Sequence, residues 1–216
     1  PPRSTLFPYT TLFRSPAYGY CLRYEHGIFQ QGMVNGHQIE HPDSWLRGGN
    51  PWQIARPDIH VTVHFGGHVE MGRVNGHLSM QWIPQETIWG VPYDIPVVGF
   101  GGKTVDTLRL WQASAPDDFD FDEFSRGDYI GAVDSKVYAE NLTKVLYPND
   151  STTMGRELRF RQQYFLVACS LSDILRRFDK TENDVRRLPE HAAVQLNDTH
   201  PTRSEEHTSE LQSRQG

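Results

Sequence analysis

The hydrophobic period of this chain changes once, near Pro116, and a chain with two periods needs two kinds of layer. Before Pro116 apolar residues recur at every second position. Along 59–70, Val61, Val63 and Phe65 fall on one side and His60, Thr62 and His64 on the other, which is the alternation of a half-buried strand. The stretch GIFQQGMVNGHQIE over 27–40 alternates about Asn35-Gly36, a dipeptide that accepts the positive φ angles of a tight hairpin. Asn75-Gly76 marks a second hairpin turn, and the β-branched and aromatic residues of 88–93 and 104–111 predict further strands. Val-Asn-Gly-His occurs at both 34–37 and 74–77, but the flanking residues differ, so the reading is two hairpins rather than a repeat array.

Beyond Pro116 the spacing becomes helical. An acidic, Phe-containing loop over 117–128 leads to Ile130, Val133, Val137, Leu142, Val145 and Leu146, which predict a helix ending before Pro148. Phe160, Tyr164, Val167, Leu171 and Ile174 predict a longer helix over 154–177. Leu158, Phe165, Ala168 and Leu175 make it apolar on a second side, so it is expected to be buried within a layered domain. The apolar run 192–196 follows a Pro-containing turn and reads as a core strand, and the whole pattern gives an α/β fold class.

A chain that is 37% hydrophobic and 12% aromatic can bury a real core. Its formal charge of −6 argues against nucleic acid as a partner, because a phosphate-backbone binder shows a basic excess. No stretch reaches the roughly 20 apolar residues that cross a bilayer, and the amino terminus lacks a signal arrangement, so the expectation is no membrane and a cytoplasmic location. Cys21 and Cys169 lie far apart in apolar surroundings and read as reduced, buried thiols. His60, His64 and His68 would share one face of a helix, but the alternating valines place them on a strand and Gly66-Gly67 interrupts a helix, so no metal is assigned.

Two polar clusters stand out. Asn149, Asp150 and Ser151 concentrate hydrogen-bonding groups between the two predicted helices, where capping by Asp150 or Ser151 explains them as well as a ligand does. Asn197, Asp198, Thr199 and His200 follow the predicted core strand, at the end of a strand where α/β sheets hold ligands. They offer a carboxylate acceptor and a switchable donor to sugar hydroxyls, while an Asx turn with Asp198 as a cap is the alternative.

The blocks GYCLRYEHGIF, DSWLRGGNPW, VPYDIPVVGF, TLRLWQASAPDDFD, AENLTKVLYPND, LRFRQQYFLVACSLSDILRRF and VQLNDTHP, in this order, resemble the α-1,4-glucan phosphorylases of glycogen, starch and maltodextrin. The resemblance implies part of the N-terminal Rossmann-like domain of a two-domain GT-B type glycosyltransferase, with β-hairpin insertions. It implies an enzyme that phosphorolyses terminal α-1,4-linked glucose to glucose 1-phosphate with retained configuration. Its partners are then an α-1,4-glucan, phosphate and glucose 1-phosphate, and its cofactor is pyridoxal phosphate, held by a lysine outside this fragment. The fragment alone is accordingly expected to be inactive.

Carried over by position, Asn149, Asp150 and Ser151 resemble the loop that covers the active site, and Asp198 and His200 resemble residues lining the glucose pocket. The family often has asparagine where Ser151 stands, which shortens the reach toward the sugar. The 130–146 helix resembles one that packs at the family's dimer interface. Arg176 and Arg177 resemble a nucleotide-binding pair of animal members, but the 179–190 segment is shorter than in those regulated forms, which points to a bacterial-type enzyme. TLFPYTTLFRS at 5–15 and RSEEHTSELQS at 203–213 look like translated adapter oligonucleotides from sequencing libraries. The expected organisation is therefore 16–202 as a partial domain, with 1–15 and 203–216 foreign to it.

Overall fold

The computed structural model describes residues 17–27, 30–74, 76–117, 119–146, 149, 151–180 and 184–194. The chain divides into two compact units, Pro1–Ile174 and Leu175–Gly216. The class is mixed α/β, a sheet with helices.

The main sheet of the first unit is built on two long strands, β8 (Glu86–Val98) and β9 (Val105–Ser114), which pair antiparallel from Trp89↔Ser114 to Val98↔Val105. Both are longer than the alternation alone predicts, because their outer turns pair with each other rather than with water. On the far side of β9 lies β1 (Tyr18–Leu22), parallel to it, with Tyr18 opposite Thr107. On the far side of β8 lie β4 (Ile54–Ala55) and β5 (Val61–Phe65), both antiparallel. Val61, Val63 and Phe65 of β5 are buried as the alternation predicts.

Two hairpins form separate two-stranded sheets: β2 (Gln30–Val34) with β3 (His37–His41), and β6 (His68–Val74) with β7 (His77–Ile83). Asn35 at φ 51° and Gly36 at φ 78° make the first turn, as its dipeptide predicts. The single strand expected over 59–70 is in fact β5 and β6, in different sheets. Gly66 and Gly67, at φ 59° and 93°, end one strand and begin the other, a conformation that alternation cannot reveal. The histidines separate accordingly: His60 packs tilted against Trp89 with ring centroids 4.7 Å apart, His64 Nδ1 lies 3.1 Å from Thr87 Oγ1, and His68 pairs with Glu70 on β6.

The acidic loop holds a short helix, α1 (Phe121–Ser125), whose cap Asp120 accepts from the amides of Asp122 and Glu123. Next come α2 (Gly131–Asn141), shorter than the expected 130–146, and the long α3 (Thr153–Asp179). One side of α3 carries Phe165 and Cys169, which join Trp111, Ile88, Val63 and Leu142 in the core. The close approach depends on Gly90 in β8, where a Cβ would collide with Cys169 Sγ. Burial pushes the Cys169 thiol well above its ordinary value, so it stays protonated. Cys21, expected to be buried, is exposed on the edge strand β1. The other side of α3 is not covered: Phe160, Tyr164, Val167 and Leu171, the series that predicted the helix, are exposed among the described residues, contrary to the expectation of a helix buried on both sides.

Polar groups fasten α3 to the sheet. Arg109 of β9 is buried, and its Nε and Nη2 donate to Asp94 at 2.7 and 2.8 Å while Nη1 donates to Asp173 of α3 at 2.6 Å. The Tyr20 hydroxyl of β1 donates to the other Asp173 oxygen at 2.9 Å. Burial alone would lower the Arg109 pKa, but the Asp94 hydrogen bonds and the Asp173 charge outweigh it and hold the guanidinium charged. Nothing in the alternation of 104–111 announces this cluster; an arginine at an inward strand position was its one signal.

In the second unit, Asp184 caps a 3-10 turn at Val185–Arg187 by accepting from the Arg186 amide, and α4 (Leu188–His191) follows. Phe178 packs against His191 with ring centroids 5.7 Å apart. Of the strand expected over 192–196, Ala192 is extended but 192–194 form no strand, and the remainder lies outside the described residues. No helix among the described residues is long and apolar enough to cross a membrane.

Candidate functional site

The connection from α2 to α3 carries the first predicted cluster. Its distal end is set by Thr152, whose Oγ1 accepts from the Gly155 amide at 3.1 Å and whose carbonyl accepts from the Arg156 amide. Thr152 is thus the cap of α3, the role the sequence offered to Asp150 or Ser151. Asn149 and Ser151 are both exposed, and Asn149 Oδ1 accepts from the Ser151 amide at 3.0 Å, an Asx turn. That bond occupies one lone pair of the Asn149 oxygen, leaving its amide group and the Ser151 hydroxyl as available polar groups of the turn.

The proximal end is held with unusual completeness. The last carbonyls of a helix find no partner within it, yet five consecutive carbonyls after α2 each accept a bond. Leu142 and Val145 accept from Gln162 Nε2 at 3.1 and 2.9 Å, and Leu146 accepts from Arg159 Nη1 at 3.3 Å. Thr143 and Lys144 accept from the amides of Glu25 and His26, both at 3.0 Å. The Thr143 hydroxyl accepts in addition from the Ala113 amide of β9 at 3.2 Å. Arg161, next to Gln162 in α3, donates to both Glu86 oxygens at 2.6 Å and sits 4.3 Å over the Phe65 ring. The connection therefore leaves from a fixed point and arrives at a fixed point, with the exposed Asx turn between them.

Asp150, Asp198 and His200 lie outside the described residues. The structure therefore brings together two of the five predicted site residues, Asn149 and Ser151, and leaves the second cluster unplaced. The residues that sequence reasoning missed are Gln162, Arg159 and Thr152. A glutamine in a helix whose other inward positions are apolar was the available signal for Gln162. A shallow hollow of about 420 Å³ runs along α2, lined by Asp134, Ser135, Val137, Tyr138 and Asn141, and neither Asn149 nor Ser151 lines it.

Pyridoxal phosphate requires a lysine amine in a desolvated pocket. Of the four lysines, Lys136 and Lys144 are engaged with Glu140 at 3.9 Å and Glu25 at 2.8 Å, and Lys103 and Lys180 are exposed. These residues do not fit the cofactor.

Comparison with known proteins bears on the whole chain. The carbohydrate phosphorylase family profile matches residues 9–207. Glycogen phosphorylase of Synechocystis sp. is 49% identical over 188 residues, which is 87% of this chain and 22% of that protein. The Saccharomyces cerevisiae glycogen phosphorylase is 49% identical over 189 residues, covering 87% and 21%. The brain form of Rattus norvegicus is 49% identical over 196 residues, covering 87% and 23%. The chain thus spans about a fifth of the length of these relatives, and its identity to a bacterial, a fungal and a mammalian member is the same.

Proposed function

Since this chain belongs to the carbohydrate phosphorylase family, we propose that it is a segment of an enzyme that removes terminal α-1,4-linked glucose with inorganic phosphate, giving glucose 1-phosphate with retention. The observation that carries the reading is the family match across residues 9–207. The relatives named above are glycogen phosphorylases, which supports a glucan substrate and a cytoplasmic enzyme of glycogen metabolism. We read the segment as part of a Rossmann-like half of a GT-B body, comprising residues 16–202, with 1–15 and 203–216 foreign to it. In the complete enzyme α2, which exposes Val137 and Tyr138, packs against a second subunit.

Within this reading Asn149, Asp150 and Ser151 contact the bound sugar from one side, and Asp198 and His200 line the glucose pocket. The Asx turn supports the first part, because it exposes an amide and a hydroxyl on a connection fixed at both ends. A hydrogen bond from sugar to a charged group contributes about 1.5–3 kcal/mol. Pyridoxal phosphate belongs to the complete enzyme, on a lysine outside this segment, and none of the steps assigned to this chain passes through it.

The test uses a full-length phosphorylase carrying this segment. Asp198→Ala is expected to lower kcat/KM for maltooligosaccharide phosphorolysis by about 10- to 150-fold at unchanged melting temperature. An unchanged kcat/KM would remove Asp198 from the site. The isolated chain, incubated with glycogen, phosphate and pyridoxal phosphate, is expected to form no glucose 1-phosphate above a blank; clear product would overturn the assignment of the cofactor lysine to another segment.

A further inference from the structure

Gln162 is 1% exposed at mid-length of α3, and both of its described bonds are donations from Nε2 to the carbonyls of Leu142 and Val145. Its Oε1 is buried and meets no donor. A buried oxygen without a donor is unfavourable, and a methionine of similar shape would avoid the penalty and fill the same space. What the amide supplies and methionine does not is the pair of N–H bonds. Those bonds fall on carbonyls just past the last turn of α2, where no helical amide can reach them.

We propose that Gln162 is a positioning residue: it fixes the start of the connection that presents Asn149 and Ser151, with Arg159 fixing the neighbouring Leu146 carbonyl. Both side chains project from α3, and the far end of the same connection is capped by Thr152 at the start of α3. The two ends are therefore referred to one rigid body, and their separation is set by helix geometry, at about 1.5 Å per residue. The backbone amides of Glu25 and His26 hold the intervening carbonyls, but they belong to another segment and cannot set that distance. The functional consequence rests on the reading above that Asn149 and Ser151 face the sugar; the mechanical one does not.

Gln162→Met in a full-length phosphorylase carrying this segment separates the two. Native-state trypsin cleavage after Lys144 is expected to accelerate at least about tenfold, while cleavage after Arg109 in the central sheet keeps its parental rate. The kcat/KM for maltooligosaccharide is expected to fall about tenfold, mainly through KM. Arg159→Lys, a milder change, is expected to shift both readouts in the same direction and serves if Gln162→Met does not fold. Unchanged cleavage after Lys144, or equal acceleration at both sites, overturns the proposal. Faster cleavage after Lys144 with unchanged kinetics upholds the positioning of the connection and instead removes Asn149 and Ser151 from the sugar site.

Discussion

The two faces of α3 are both rich in apolar side chains and meet opposite fates. One carries Gln162, Phe165, Cys169 and Asp173, each at 1% exposure or less, and the other carries Phe160 at 67%, Val167 at 48% and Leu171 at 45%. By hydrophobicity alone the exposed face has the better claim to the core, since the buried one includes an amide and a carboxylate. The polar residues decide the matter. Asp173 answers Arg109, Gln162 answers the carbonyls beyond α2, and Cys169 answers the gap left by Gly90. Turning the helix over would leave a buried guanidinium short of a partner, which costs about 3–5 kcal/mol, more than burying one additional leucine returns, about 1.5–3 kcal/mol. Specific partners, not average polarity, choose the face.

That contrast can be broken most severely at Asp173. Asp173→Ala removes the carboxylate that accepts from Arg109 Nη1 and the Tyr20 hydroxyl and is expected to lower unfolding free energy by about 3–5 kcal/mol, read from urea denaturation; a loss below about 1 kcal/mol would show that the ion cluster does not orient the helix. Gly90→Ala probes the same face through packing, because the new Cβ meets Cys169 Sγ. It is expected to cost about 1–3 kcal/mol, and Cys169→Ala in the same chain should return part of that loss. On the opposite face, Phe160→Ser with Leu171→Ser is expected to change stability by no more than about 0.5 kcal/mol per site, while reducing self-association in sedimentation runs. A core-sized loss there would mean that the face is covered after all.

The fold was legible where a local rule governs it. Asn35-Gly36 forms its turn because the dipeptide itself supplies the positive φ angles, and α3 appears within two residues of its expected ends because its pattern runs for many turns. Long-range pairings were not legible. Tyr18–Leu22 shows no alternation that would announce a strand, and its parallel partner β9 is remote in sequence. The candidate site was less legible. The Asx turn from Asn149 to Ser151 is local, yet the residue types there point to a cap at Asp150 or Ser151, because several short polar side chains in a row compete for the same role. The hold on the carbonyls of Leu142 and Val145 could not be read, since a backbone acceptor carries no side-chain signature and its donor lies 20 and 17 positions further along the chain.

The parallel pairing of β1 with β9 has a consequence for how the chain is made. The Ala17 amide donates to Asp106, 89 positions later, so β1 leaves the ribosome long before its neighbour exists. At about 5–20 residues per second the wait lasts on the order of five to twenty seconds, whereas β8 and β9 can zip together within microseconds of emerging. During that interval the nascent strand has an unsatisfied edge and an exposed thiol at Cys21, which is when a ribosome-associated chaperone has most to protect.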